Sequence, residues 1–181
     1  MARRIILDLA VSLDGFIEGK NGETDWCIMD PEMKFNQFLD EIDTILYGRT
    51  SYDLWGQYTP KMDDTDDEKE IWASIHSKEK VVFSRTQWGT GDPKVTFIND
   101  HIREEVTALK NKPGKDIWLY GGASLITTFV QSGLIDEYRL SVHPIVLGEG
   151  KPLFSGIKQR INLMLVNTRA FASGVVQLIY R

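Results

Sequence analysis

Asp116-Ile117-Trp118-Leu119-Tyr120-Gly121-Gly122-Ala123-Ser124-Leu125 is the stretch on which the reading of this sequence turns. Ile117, Trp118 and Leu119 suit the interior of a short buried strand. Leu125, Ile126, Phe129 and Val130 then recur at helical spacing, and Gly133 is placed to end that helix. Between the two, Gly121-Gly122 bring bare backbone to a helix N-terminus, where free N–H groups and the positive dipole end attract anions. The residues leave two readings open. Either the pair holds the phosphates of a cofactor, or it is a tight turn that needs glycine for its backbone angles.

Upstream, Arg4 to Val11 is an apolar run broken only by Asp8, which predicts a central strand. Ser12 to Ile17 and a glycine-bearing polar loop lead to Trp26, a residue that either walls a substrate or pins the loop to the core. Asp30-Pro31 predicts a helix start, with Asp30 as N-cap and Phe35, Phe38, Leu39 and Ile42 as the apolar face. Thr44 to Tyr47 is a short strand, and Gly48-Arg49-Thr50-Ser51-Tyr52 opens the next turn and helix. This is a second strand–glycine–helix junction. Its hydroxyls either cap the helix or, with Arg49, hold phosphate oxygens. The acidic run Asp63 to Glu70 lacks the glycine and terminal glutamate of a calcium loop and reads as a solvated helix start.

Lys80 to Phe83 is another strand, and it ends in Ser84-Arg85-Thr86, a third polar terminus. Lys94 to Ile98 is a strand, after which Asn99 or Asp100 caps a helix carrying Ile102, Val106 and Leu109. Alternating strands and helices predict an α/β fold with a largely parallel sheet. After Gly133 the pattern changes. Ile135 to Leu147 is extended and contains Pro144, Gly148 to Phe154 is a glycine-rich loop, and Ile161 to Ala170 with Gly174 to Tyr180 form a closing antiparallel hairpin.

With 181 residues, 42% hydrophobic and 26% charged, the chain is long enough for one full core, and residues 1–181 are read as a single domain. A net charge of −5 argues against a nucleic-acid surface. One cysteine, Cys27, excludes an intrachain disulfide and fits a cytoplasmic setting. His76, His101 and His143 make no metal-ligand spacing, and no stretch is long enough for a membrane helix. No metal, nucleic acid or membrane partner is expected.

In an open α/β sheet, ligands bind beyond the carboxyl ends of the parallel strands. All three polar junctions lie at such ends, so one crevice collects them. Two arginines with hydroxyl partners suit a doubly charged phosphate monoester such as the 2′-phosphate of NADP. Neither a Rossmann fingerprint nor a P-loop is present.

In this combination the chain resembles the dihydrofolate reductase superfamily, and more closely its branch that includes the riboflavin-biosynthesis reductase domain. The matching pieces are Val11 to Phe16, Asp25-Trp26, Leu46 to Thr50, Phe83 to Thr86, Leu119 to Leu125, Ile135 to Arg139 and Pro144 to Phe154. The resemblance implies a mixed sheet of about eight strands flanked by helices, with NADPH as hydride donor. It implies Gly48, Arg49 and Thr50 on the cofactor phosphates, and Ser84, Arg85 and Thr86 at the adenosine end. It implies Gly121, Gly122, Ala123, Ser124 and Leu125 on the pyrophosphate, and Ala10, Phe16 and Ile17 about the nicotinamide. A homodimer through the C-terminal β region is implied as well.

The catalytic acid transfers less cleanly. Folate reductases place an acid shortly after the tryptophan; here that register falls on Pro31, between Asp30 and Glu32. Riboflavin-type reductases carry an acid before the glycine pair; here the residue is Tyr120. Asp30 and Tyr120 are therefore the expected catalytic candidates, with Asp14, Trp26, Tyr52 and Trp55 on the substrate side. The expected activity is reduction of a pterin-, pyrimidine- or ribosylamino-type small molecule. The alternative is an NADP-binding dimeric domain without turnover.

Overall fold

The computed structural model describes residues 2–62 and 64–181. In chain order the strands are β1 (Ile5–Ser12), β2 (Phe16–Gly19), β3 (Ile42–Gly48), β4 (Glu79–Phe83), β5 (Val95–Ile98), β6 (Asp116–Gly121), β7 (Glu137–His143), β8 (Gly150–Pro152), β9 (Leu165–Ala170) and β10 (Val176–Tyr180). The α-helices are α1 (Phe35–Glu41), α2 (Arg49–Ser51), α3 (Asp66–Ser77), α4 (Ile102–Lys110) and α5 (Ala123–Gln131). Eight strands form one sheet in the order β5-β4-β3-β6-β1-β7-β10-β9, while β2 and β8 pair apart from it. Strands β1, β3, β4, β5, β6 and β7 pair in parallel. β10 runs antiparallel between β7 and β9. The expected mixed sheet with its closing hairpin is therefore present.

Strand β1 sits between β6 and β7, and its alternation separates two cores. Ile5, Leu7, Leu9 and Val11 join Ile117, Leu119, Val106, Ile126 and Phe129 on the side of α4 and α5. Ile6 joins Ile45, Tyr47, Val82 and Trp118 beneath Phe38 and Leu39 of α1 and Ile75 of α3. Strands buried on both faces must be apolar throughout, which is why β1, β3 and β6 read as nearly continuous hydrophobic runs.

Several local expectations are corrected. The helix opened by Asp30 is a 3-10 turn over Pro31–Met33 that stops at Lys34, which adopts left-handed angles (φ 54°). Helix α1 begins afresh at Phe35, and Ile42 belongs to β3 rather than to the helix face. Helix α4 is preceded by His101 in a left-handed conformation, with neither Asn99 nor Asp100 at the cap position. Asn99 instead spends its amide on the carbonyls of Ser84 and Gln87. The acidic run does start a helix, through a capping box between Thr65 and Glu68. Asp63 lies outside the described residues.

At the amino ends of the strands the sheet is tied by charge. Glu137 is almost fully buried and accepts from Arg4 (2.9 Å), Arg139 (2.6 Å) and Arg181 (2.7 Å). Burial pushes its carboxyl up, but the bonds from Arg139 and Arg181 and the charges of Arg139 and Arg4 outweigh that and hold it below the usual carboxylate range. A depressed acid stabilises the fold above its unfolded pKa, and that stability is lost as pH falls through the folded value. Glu137→Gln is expected to cost about 3 kcal/mol at neutral pH and to blunt the loss of stability on acidification. Urea unfolding of both proteins between neutral and acidic pH measures this, and parallel profiles would contradict it.

Candidate functional site

Beyond the carboxyl ends of β3, β4 and β6 lies a groove of about 1160 Å³. All three polar junctions line it: Gly48, Arg49, Thr50 and Ser51 after β3, Ser84, Arg85 and Thr86 after β4, and Gly122 to Leu125 at the start of α5. The turns approach one another closely. A Cβ at Gly48 would lie 3.3 Å from the backbone nitrogen of Gly122, and one at Gly122 would lie 2.9 Å from Ser51 Oγ. Gly121 has φ +123°, an angle L side chains rarely adopt, and its peptide bond to Gly122 is cis.

The groove is polar and leaves donors free. Gly122 is the N-cap of α5 and has no side chain to cap it, so the leading N–H groups of the helix are left for another partner. Gly48 likewise provides no cap for α2, and the hydroxyls of Thr50, Ser51 and Ser124 donate no hydrogen bond among the described residues. Arg85 is exposed and makes no hydrogen bond or ion pair among the described residues, whereas Arg49 pairs with Asp53 at 3.1 Å. Ser84 is committed: its Oγ accepts from the backbone N–H groups of Thr86 and Gln87, shaping the turn that presents Arg85. Glu18 and Lys151 pair at 2.8 Å across the β2–β8 ribbon and line the groove as well.

The remaining expected residues fall elsewhere. Gly121, Ala10, Phe16 and Ile17 do not line this groove; Gly121 is buried and Ile17 packs on the core beside α5. Asp14 staples the loop after β1 to the segment after β7, accepting from Ser12 Oγ, Leu147 N and Gly148 N. The Ser12 hydroxyl and those backbone donors hold its carboxyl below the ordinary range. Trp26 donates to the Glu23 carbonyl and meets His143 edge-on at 5.4 Å. Trp55 reaches the groove and stacks on Trp72, whereas Tyr52 is 4% exposed with its ring against Tyr47 and Phe97. A π-helical turn over Tyr52–Gly56 accompanies that inward placement, and it breaks the spacing by which sequence alone assigns a helix face.

Asp30 caps the 3-10 turn by accepting from Glu32 N at 2.8 Å. The Ser173 hydroxyl, that backbone bond and Arg169 hold its carboxyl below the usual range. The Tyr120 ring packs between Tyr47 and Trp118, and burial pushes its hydroxyl upward, so it stays protonated at neutral pH. The sequence reasoning passed over Asp8. Leu7, Leu9 and Val11 face the α5 side, so Asp8 and Ala10 face the other side with Trp118 and Tyr120. Burial pushes the Asp8 carboxyl up to about 7, with Arg139 opposing the rise and Glu41 and Glu137 adding to it. The signal was visible as the lone charge in an otherwise apolar central strand.

Comparison with known proteins agrees with this fold. Residues 3–177 match the RibD C-terminal domain family. YyaP, an uncharacterized protein of Bacillus subtilis (strain 168), is 71% identical over 178 residues, covering 98% of this chain and 94% of its own length. YwjB, another uncharacterized protein of that strain, is 34% identical over 178 residues, covering 97% and 96%. A putative riboflavin biosynthesis protein from Shewanella sp. PV-4 superposes with a TM-score of 0.80 at 24% identity, covering 99% of this chain and 98% of that one. Dihydrofolate reductase from Enterococcus faecalis, complexed with NADP(H) and RAB-propyl, superposes with a TM-score of 0.64 at 15% identity, covering 99% and 98%. At these identities the two structures share the fold.

A carboxyl raised by burial favours the folded state only below its unfolded pKa, and that contribution is lost as pH rises through the folded value. The stability difference between Asp8→Asn and the unaltered chain is therefore expected to shift in the variant's favour by about 2–4 kcal/mol between roughly pH 4 and pH 8. Chemical unfolding across that range measures it; a pH-independent difference would contradict the placement of Asp8.

Proposed function

The chain belongs to the RibD C-terminal domain family, and from that premise we propose that it is an NADPH-dependent reductase of a small, flat heterocyclic or ribosylamino-type substrate. The observation that carries this reading is the convergence of three strand–turn junctions, each supplying anion-binding groups, in one groove. The E. faecalis enzyme of the same fold was solved with NADP(H), which supports the choice of cofactor.

The groove fits such a group on several counts. Bare backbone at Gly48 and Gly122 leaves room where any side chain would intrude. The uncapped start of α5 supplies N–H donors for a pyrophosphate, with Ser124 Oγ beside them. Gly48, Arg49 and Thr50 complete the phosphate cradle from the other wall. Arg85, without a hydrogen bond or ion pair among the described residues and held out by the Ser84 turn, takes the 2′-phosphate. Ala10, Phe16 and Ile17, in and just after β1, lie about the nicotinamide, and Trp55 flanks the groove on the substrate side. The bound cofactor supplies the hydride; the chain positions the two rings and excludes water.

The same reading includes a homodimer through the C-terminal strands. β9 is an edge strand with all six residues exposed, and Ile161, Leu163 and Met164 just before it are exposed as well. Apolar side chains along an unpaired edge are normally blunted by charge or covered by a partner. Sedimentation is expected to give twice the 20.7 kDa chain mass, and Val166→Lys to give monomers. A monomeric unaltered chain would remove this part of the reading.

Titration with NADPH and NADH, read by energy transfer from tryptophan to nicotinamide, tests the central reading. Arg85→Ala is expected to weaken NADPH by about tenfold or more and leave NADH nearly unchanged, the size of a lost charge-assisted contact to phosphate. Equal losses for both would remove Arg85 from the 2′-phosphate; no binding of either by the unaltered chain would remove the reductase reading.

A further inference from the structure

Asp8, Ala10 and Tyr120 lie on β1 and β6, in the interior of the eight-stranded sheet, yet each remains partly open. Helices cover a sheet of this kind on both faces, so partly open side chains on its middle strands mark a gap in that cover, which we read as the floor of a cleft. Tyr120 is followed directly by Gly121-Gly122, which places this floor beside the groove described above.

Among the described residues of β1 and β6 on that floor, the carboxyl is that of Asp8, and Glu18 of β2 lies close enough to act on Tyr120. The Asp8 backbone oxygen is taken by Trp118 Nε1 at 2.9 Å, but its carboxylate accepts no hydrogen bond among the described residues. Arg139, its partner in register on β7, is already spent, donating to Glu137 at 2.6 Å and to Glu41 of α1 at 2.8 Å. Among the described residues nothing hydrogen-bonds the Asp8 carboxylate, and its partial burial without such a bond works against stability. Groups kept at such a cost cluster where a ligand needs them.

The charged and titratable neighbours narrow the choice of acid. From β7 they are Arg139, Glu137 and His143, from α1 Glu41, from β6 Tyr120, from β3 Tyr47, from β2 Glu18, and from the loop after β2 Cys27. His143 is fully buried beneath Trp26 and bonds to the Ser141 carbonyl at 2.8 Å. Burial holds Tyr47 and Tyr120 in their protonated forms and pushes the Cys27 thiol up to about 11. Burial raises the Asp8 carboxyl to about 7, so it both binds and releases a proton near neutral pH, as a general acid must.

We propose that Asp8 is the acid of the substrate side, delivering its Oδ proton to the nitrogen beside the carbon that accepts hydride. This rests on the reductase reading and assigns the substrate as a planar ring with a C=N bond. A bound reduced nicotinamide would supply the hydride for the new C–H bond and be oxidised in doing so. The C=N π pair moves onto nitrogen and takes the Asp8 proton to form N–H. The Asp8 carboxylate left behind recovers a proton from water.

The resting counterpart of that step is a carboxylate paired with a protonated ring nitrogen, so a weakly basic ring serves as probe. Binding of 2,4-diaminopyrimidine is to be followed calorimetrically across the pH range for the unaltered chain and for Asp8→Asn, alongside NADPH binding by both. Affinity of the unaltered chain is expected to peak near neutral pH. Below the peak both partners hold protons, and above it neither does. Asp8→Asn is expected to lose about tenfold or more in ring affinity together with the acidic limb of the profile, while NADPH affinity stays within about twofold. Ring binding that is equal in the variant, or absent from the unaltered chain, overturns the assignment and leaves the reductase reading standing if NADPH still binds. Failure to bind NADPH, with Asp8-dependent ring binding intact, removes the reductase reading instead and leaves Asp8 as a ligand carboxyl.

Discussion

The turn after β3 and the turn after β6 approach until backbone nearly meets backbone. The nearest neighbours of the missing Cβ of Gly48 are the Gly122 nitrogen at 3.3 Å and the Gly121 carbonyl oxygen at 3.6 Å. That approach brings Arg49 and the start of α5 into one groove. It depends in turn on register: β3 and β6 pair in parallel from Ile42 to Tyr47, so both strands deliver their glycines at the same level. The apolar runs of β1, β3 and β6 bury both faces of these strands and hold them in the middle of the sheet.

Much of this was legible in the sequence because each junction states its own backbone demand. Gly121-Gly122 before an apolar helical period, Gly48 before Arg49-Thr50, and Ser84 before Arg85 each describe a local turn, and local turns are set by a few residues. Sheet order needed more. Parallel strands were expected from alternation, but the position of β1 between β6 and β7 came only from the structure.

The residues that misled did so for tertiary reasons. Ile42 continues the period of α1, yet hydrogen bonding across the sheet claims it for β3. Tyr52 follows a polar junction, but the chain turns it into the core between Tyr47 and Phe97. Asp14 looked like a substrate contact and is occupied with Leu147 and Gly148, more than a hundred residues along the chain. Asp8 was visible as a lone charge, but its meaning lay in what fails to pair with it. A missing partner is a property of the packed molecule, and no spacing of residues encodes it.

The central position of β1 has a consequence for how the chain comes together. Its two neighbours in the sheet begin at Asp116 and Glu137, so β1 has no place to pair until β2 to β5 and the helices between them have followed it. By then β3, β4 and β5 have all left the ribosome and are able to assemble, with β1 still waiting outside. Contacts of such long sequence separation slow folding and leave an apolar strand exposed in the meantime. The charge in the middle of that strand then acts early as well as late. Before β6 and β7 arrive, Asp8 is ionised in water and interrupts a seven-residue apolar run that would otherwise favour pairing with other chains.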